Sequence, residues 1–192
     1  MTVRESGVPE VTEDLRVART RTAMHQTFLD LVAERPYDEI TVAEVITRAD
    51  VGRSTFYQHY SSKDEILRAV MAGGFSALAD TVDGGLHDEH LEAWLGIFWD
   101  NRRAGRIMLV GQIQVFIARQ LAGMVEERLE RLAASSPERP SAATKLVAAM
   151  IAEGQLGLIH AWIMGQTAAT PEALAQTLRL SAQGLTRALY GR

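Results

Sequence analysis

Arg53, Ser54, Thr55, Tyr57, Gln58 and His59 set six side chains capable of hydrogen bonding within one short stretch. Such a row suits recognition of nucleic acid. An arginine fork or a glutamine amide pairs with base edges, while hydroxyls and imidazole grip phosphate oxygens. Interleaved with them, Phe56 and Tyr60 stand four residues apart, so on a helix both would face inward and leave the polar set outside. The stretch is poorly equipped for catalysis. The chain has no cysteine, no G-x-S-x-G and no glycine-rich phosphate loop after a strand, which argues against an enzyme.

A helix this short needs neighbours to hold it. Upstream, Ala43, Val45, Ile46 and Ala49 give a first helix one small, apolar face. Thr41 with Glu44 three residues on forms a capping box at its start. Asp50-Val51-Gly52 interrupts the pattern, because Asp and Gly tolerate turn dihedrals and Val51 can tuck between the helices. Two short helices with a tight turn make a helix-turn-helix, and the expected partner is DNA. A preceding helix is expected from about Leu15 to Arg35, with Met24, Phe28, Leu31 and Val32 as its buried stripe and Pro36-Tyr37 as its stop. Ser61-Ser62-Lys63-Asp64-Glu65 opens the next helix, which runs to about Ala79, with Gly73-Gly74 expected to loosen its middle.

The window Thr41–Leu67 resembles the DNA-binding domain of the TetR/AcrR family of bacterial transcriptional regulators. Thr41, Val45, Ala49, Val51, Thr55, Phe56, Tyr57, His59, Tyr60, Lys63 and Leu67 carry that resemblance. The departures are Val45 for Ile, Asp50 for Gly, Gly52 for Ser and Tyr60 for Phe. Asp tolerates left-handed dihedrals and Gly can cap a helix, so the fold survives them. The resemblance is strong over about Ala18–Ala79 and then continues through Gly157–Trp162 and Thr170-Pro171-Glu172. It implies that Arg53, Ser54, Thr55 and Gln58 face base edges. Thr41, Arg48, Tyr57, His59 and Lys63 would hold phosphates, Lys63 aided by a helix N-terminus.

At 192 residues the chain can bury a sizeable core, as one large helical domain or a small head on a larger body. Its composition, 47% apolar with five prolines, fits an all-α soluble protein of about nine helices. The net charge is −4, and acids outnumber bases even before residue 68. The positive charge is local instead: Arg48, Arg53 and Lys63 face only Asp50, and Arg16, Arg19 and Arg21 lie just upstream. Apolar runs are broken before membrane-spanning length and the N-terminus has no apolar core, so a cytoplasmic location and no membrane partner are expected.

Residues 1–14 read as a disordered arm, 15–61 as the helix-turn-helix domain and 62–192 as a helical effector-binding and dimerisation domain. Five further helices are expected at about Asp88–Asn101, Gly105–Val110, Ile113–Ala134, Ala142–Gly165 and Pro171–Tyr190, Thr170 capping the last. His87-Asp88-Glu89-His90 has a spacing open to metal but reads as a solvated helix start. His160 reads as a core or interface histidine, and no cofactor or metal is called for.

Trp94, Phe98, Phe116 and Met150 could be plain core or the apolar walls of an effector pocket, with Gln112, Gln114 and Glu153 as polar anchors. The resemblance places an effector pocket among these helices. The last two helices carry more apolar surface than one body needs, including Leu158, Ala161, Trp162, Leu174, Leu178 and Leu185. In the family such helices form a dimer interface, which suits a palindromic double-stranded operator. The expected function is a dimeric repressor released by a small, largely apolar effector. The alternative is a DNA-binding regulator without such an effector, controlled by a protein partner.

Overall fold

The computed structural model describes residues 9–83, 88–135 and 142–190, and these fold as α-helices with no strand among them. The chain divides into two compact units, a head at Met1–Val70 and a body at Met71–Arg192.

In the head, α1 spans Pro9–Glu34, α2 Val42–Arg48 and α3 Arg53–His59, and α4, Lys63–Asp80, supplies its first residues. α1 starts six residues before the expected Leu15, so Pro9 to Asp14 are helical rather than part of an arm. Met24, Phe28, Leu31 and Val32 form the buried stripe of α1 that the spacing predicts. They share a core with Ile40, Val45, Phe56, Ile66 and Leu67. After α1 a 3-10 turn, Tyr37–Glu39, leads into α2, a feature the periodicity did not announce.

The Thr41 hydroxyl accepts from the Glu44 amide, and the Glu44 carboxylate accepts from the Thr41 amide at 2.9 Å, completing the capping box. α2 ends in a Schellman turn. Val51 N donates to Ile46 O at 3.2 Å, Asp50 N to Thr47 O at 3.3 Å, and Asp50 takes φ +52°. Asp thus does the work expected of glycine there. At the start of α4, Ser62 Oγ accepts from Glu65 N while the Glu65 carboxylate accepts from Ser61 N at 2.6 Å.

The body contains the rest of α4 with α5 (Asp88–Asp100), α6 (Arg102–Met108), α7 (Gly111–Ala134), α8 (Thr144–Ile163) and α9 (Pro171–Tyr190). α7 lies along α8, and Ile117, Leu121, Val125 and Leu129, spaced four apart, are fully buried. α8 has the length and composition to cross a membrane, contrary to the reading of its sequence as too broken, yet half of that stretch is buried inside the body. It ends in a second Schellman turn with Gly165 at φ +74°. Thr170 Oγ1 accepts from Ala173 N, capping α9 as expected. α4 runs unbroken through Gly73-Gly74. The absent side chain at Gly74 makes room for an indole, because a Cβ there would lie 2.0 Å from Trp94 Cε2.

Candidate nucleic-acid interface

α3 turns Phe56 fully into the head core and Tyr60, at its C-cap, nearly so. The Tyr60 hydroxyl lies 2.6 Å from His25 Nε2 on α1. Burial, and then the charge of Arg21, hold His25 below the ordinary imidazole range, so its neutral ring can accept the phenol proton. With these anchors the opposite face is left to solvent. Arg53, Ser54, Tyr57 and Gln58 are exposed, and Thr55 and His59 half-exposed. Among the described residues, none of these six side chains has a hydrogen-bond partner. Arg53 leans over the Tyr57 ring, 5.9 Å from its centroid, and Tyr57 stands edge-on to Phe56 at 5.3 Å. The six residues singled out in the sequence share one open face.

The flanking residues are differently employed. Arg48 pairs with Glu34 of α1 through both terminal nitrogens, one bond measuring 2.6 Å. Arg35 pairs with Glu44 at 2.7 Å. Part of the positive charge read from the sequence is therefore matched within the head. The Thr41 hydroxyl donates to the Glu44 carboxylate, which leaves it serving the cap. Lys63 departs furthest from expectation. Its ammonium donates to the carbonyls of Tyr37, Ile40 and Asp38 at 2.8, 3.1 and 3.3 Å, so the phosphate contact expected of it is not what its geometry offers. The Tyr37 hydroxyl donates to Asp64, and burial followed by that carboxylate pushes the phenol well up from its ordinary range. Sequence reading missed Tyr37, treating it only as a helix stop, and nothing in local periodicity pairs it with residues so far along the chain.

Residues 29–70 match the family model for bacterial regulatory proteins of the tetR family. The head of this chain is thus similar to the DNA-binding part of tetR-family regulators. That family consists of regulators rather than enzymes. YxbF, an uncharacterized HTH-type transcriptional regulator of Bacillus subtilis strain 168, is 37% identical over 68 residues. That match covers 35% of this chain and only 18% of YxbF. The fold matches a TetR transcriptional regulator from Streptococcus agalactiae 2603V at TM-score 0.51 and 24% identity, covering 90% of this chain and 98% of that one. It matches a putative TetR-family regulator from Syntrophomonas wolfei at TM-score 0.58 and 16% identity, covering 87% and 94%. These two likenesses are of fold.

The candidate effector residues of the body are placed as follows. Trp94 and Phe98 stack at 4.9 Å, and Phe98 is pressed against Gly105, where a Cβ would lie 2.8 Å from its ring. Met150 and Glu153 are exposed on α8, Phe116 and Gln114 are half-buried on α7, and the Gln112 side chain lies outside the described residues. His87 of the histidine pair also lies outside them.

On the last two helices, Trp162, Leu174 and Leu178 are each 2% exposed within a single chain. Trp162 packs on Trp99 at 4.7 Å and donates to Ala169 O at 2.9 Å, so it serves the subunit's own core. Leu158, Ala161 and Leu185 are half-buried. Leu158, Leu178 and Leu185, with Met150 and Gly154, line an α8–α9 groove of about 220 Å³. Gln155 is a buried residue that sequence reading passed over. Its amide donates to Leu78 O at 3.1 Å and Thr81 Oγ1 at 2.9 Å, tying α8 to the end of α4.

Proposed function

We propose that this chain is a sequence-specific, DNA-binding transcriptional regulator that reads duplex DNA with α3. The observation that carries the proposal is the open face of that helix, whose six polar side chains make no hydrogen bond among the described residues while Phe56 and Tyr60 anchor its other side. Arg53, Ser54, Thr55 and Gln58 address base edges, Arg53 being suited to a guanine, and Tyr57 and His59 address phosphates. Arg48 contributes to the backbone only by sharing its charge with Glu34. Selection of duplexes from a random pool, followed by binding in a salt titration, tests this. Enrichment of one palindromic sequence supports it, and equal affinity for selected and scrambled duplexes overturns it.

The regulator works as a homodimer through α8 and α9, acts as a repressor and releases DNA on binding a small, largely apolar effector. The resemblance of the head to the family, the exposed Leu146 and Met150 of α8 and the exposed Met164 at its C-cap support the dimer and its placement. The effector reading rests on the family alone, and a ligand seated by Trp94 and Phe98 must first part their stack. Sedimentation tests the dimer, and a stable monomer counts against it. Thermal-shift screening tests the effector, since a ligand at about a hundred times its dissociation constant raises stability by ~2.7 kcal/mol. A screen with no hit, joined to a protein captured on the body, favours control by a protein partner instead.

A further inference from the structure

The ammonium of Lys63 has three hydrogens and no acceptor capacity, and three backbone carbonyls within 3.3 Å take them up. The same nitrogen lies 4.4 Å from the centroid of the Tyr37 ring. The neighbouring Asp64 receives the Tyr37 hydroxyl, so two consecutive residues at the start of α4 hold the turn that precedes α2. Ile40, the last of the three acceptors, is itself buried at 2% exposure. Between Ile40 and Lys63 lie α2, its Schellman turn and α3, the complete helix-turn-helix.

We propose that Lys63 is a positioning residue for DNA reading, closing the segment 41–62 at both ends, and that it does not contact the DNA backbone. The proposal rests on the DNA-reading function proposed for α3. Reaching a phosphate would require the ammonium to abandon carbonyls beside a buried residue, and among the described residues no other side chain donates to them. Losing the strap leaves the charges that meet phosphates in place but lets α3 wander relative to α1. Affinity for the selected sequence then falls while the electrostatic part of binding is kept, because base contacts depend on register and non-specific attraction does not.

The test uses the full chain carrying Lys63→Met, which keeps the stem and removes the donors, and Lys63→Arg, which keeps the charge on a planar fork that cannot converge on three carbonyls. Binding to the selected duplex and to a scrambled duplex is measured across a salt titration, well below the unfolding transition. Lys63→Met is expected to lose roughly tenfold for the selected duplex. Its salt slope and its affinity for the scrambled duplex should stay as in the unmodified chain, and Lys63→Arg should fail to restore the loss. A slope lower by ~1, with both duplexes weakened alike and rescue by Lys63→Arg, would show a phosphate contact and overturn the proposal. An unchanged affinity for the selected duplex overturns it as well.

If the unmodified chain selects no duplex, the DNA-reading function itself falls. Amide hydrogen exchange then decides the strap separately: faster exchange at residues 37–41 and 50–60 in Lys63→Met upholds it, and unchanged exchange removes it. Should Lys63→Met not fold, Lys63→Arg carries the same comparison.

Discussion

The head and the body of this chain use polar side chains in opposite ways. In the head they fall into two sets, one consumed by caps and straps and one left open on α3. In the body the well-placed polar groups are turned into the packing. Gln155 is 4% exposed and bonded to the end of α4, and Arg128 bridges Asp80 at 2.9 Å and Ser76 at 3.2 Å. An open row of donors that the fold does not need is a functional surface by elimination. The buried Gln155 amide, by contrast, spends its NH2 group on packing α8 to the end of α4. The contrast says that substitutions on the α3 face should change binding without changing stability, whereas substitutions in the body should do the reverse.

The largest effect expected is at Trp162. Removing this fully packed ring should cost about 3–5 kcal/mol of body stability, read by denaturant unfolding. Trp162→Ala also sharpens the assignment of that ring. If the indole worked mainly between subunits, sedimentation would show lost assembly with little change in the unfolding of the chain itself.

Arg53→Ala should cost about 1–3 kcal/mol of DNA binding, mainly at one base-pair position, with the melting temperature unchanged. A drop in melting temperature of the same size would break the contrast, because it would mean that the fold depends on Arg53. Thr41→Val lies between the two classes. Loss of the cap should lower head stability by about 1 kcal/mol, and DNA binding should weaken only as far as α2 frays.

These residues also mark how far the sequence could be read. Spacing located the α1 stripe, the capping box at Thr41, the Asp50 turn and the α3 face, since each depends on neighbours within four or five residues. It could not locate the Lys63–Tyr37 strap, the Arg48–Glu34 pair or the Gln155–Thr81 bond, whose partners lie 26, 14 and 74 residues apart. The packing of the body's aromatic residues was out of reach for a related reason. Periodicity shows which face of a helix is apolar but cannot show that Gly74 and Gly105 on other helices receive the rings of Trp94 and Phe98.

The smallest effect expected concerns pH. The amide and hydroxyl of Thr41, helped by Arg35, hold the Glu44 carboxyl below its ordinary range. A carboxyl depressed in the folded state stabilises above its unfolded pKa, and that contribution fades as pH falls through the folded value. The gap in melting temperature between the unmodified chain and Glu44→Gln should therefore be full near pH 6 and narrow below about pH 4.3. A gap that stays constant over this range would show that the cap draws on shape rather than charge.

The closely packed, tilted indoles of Trp99 and Trp162 have an optical consequence. All three tryptophans, Trp94, Trp99 and Trp162, belong to the body, while Tyr37, Tyr57 and Tyr60, three of the four tyrosines, belong to the head. Red-edge excitation, which tyrosine does not absorb, thus watches one unit alone. The closely packed pair of rings should add a coupled near-ultraviolet dichroism band that vanishes when the body melts. Tyrosine absorbance, with the overlapping indole band subtracted, comes mainly from the head, Tyr190 being the one phenol of the body. A single unlabelled sample then reveals, from two wavelengths, whether the units unfold together or in turn.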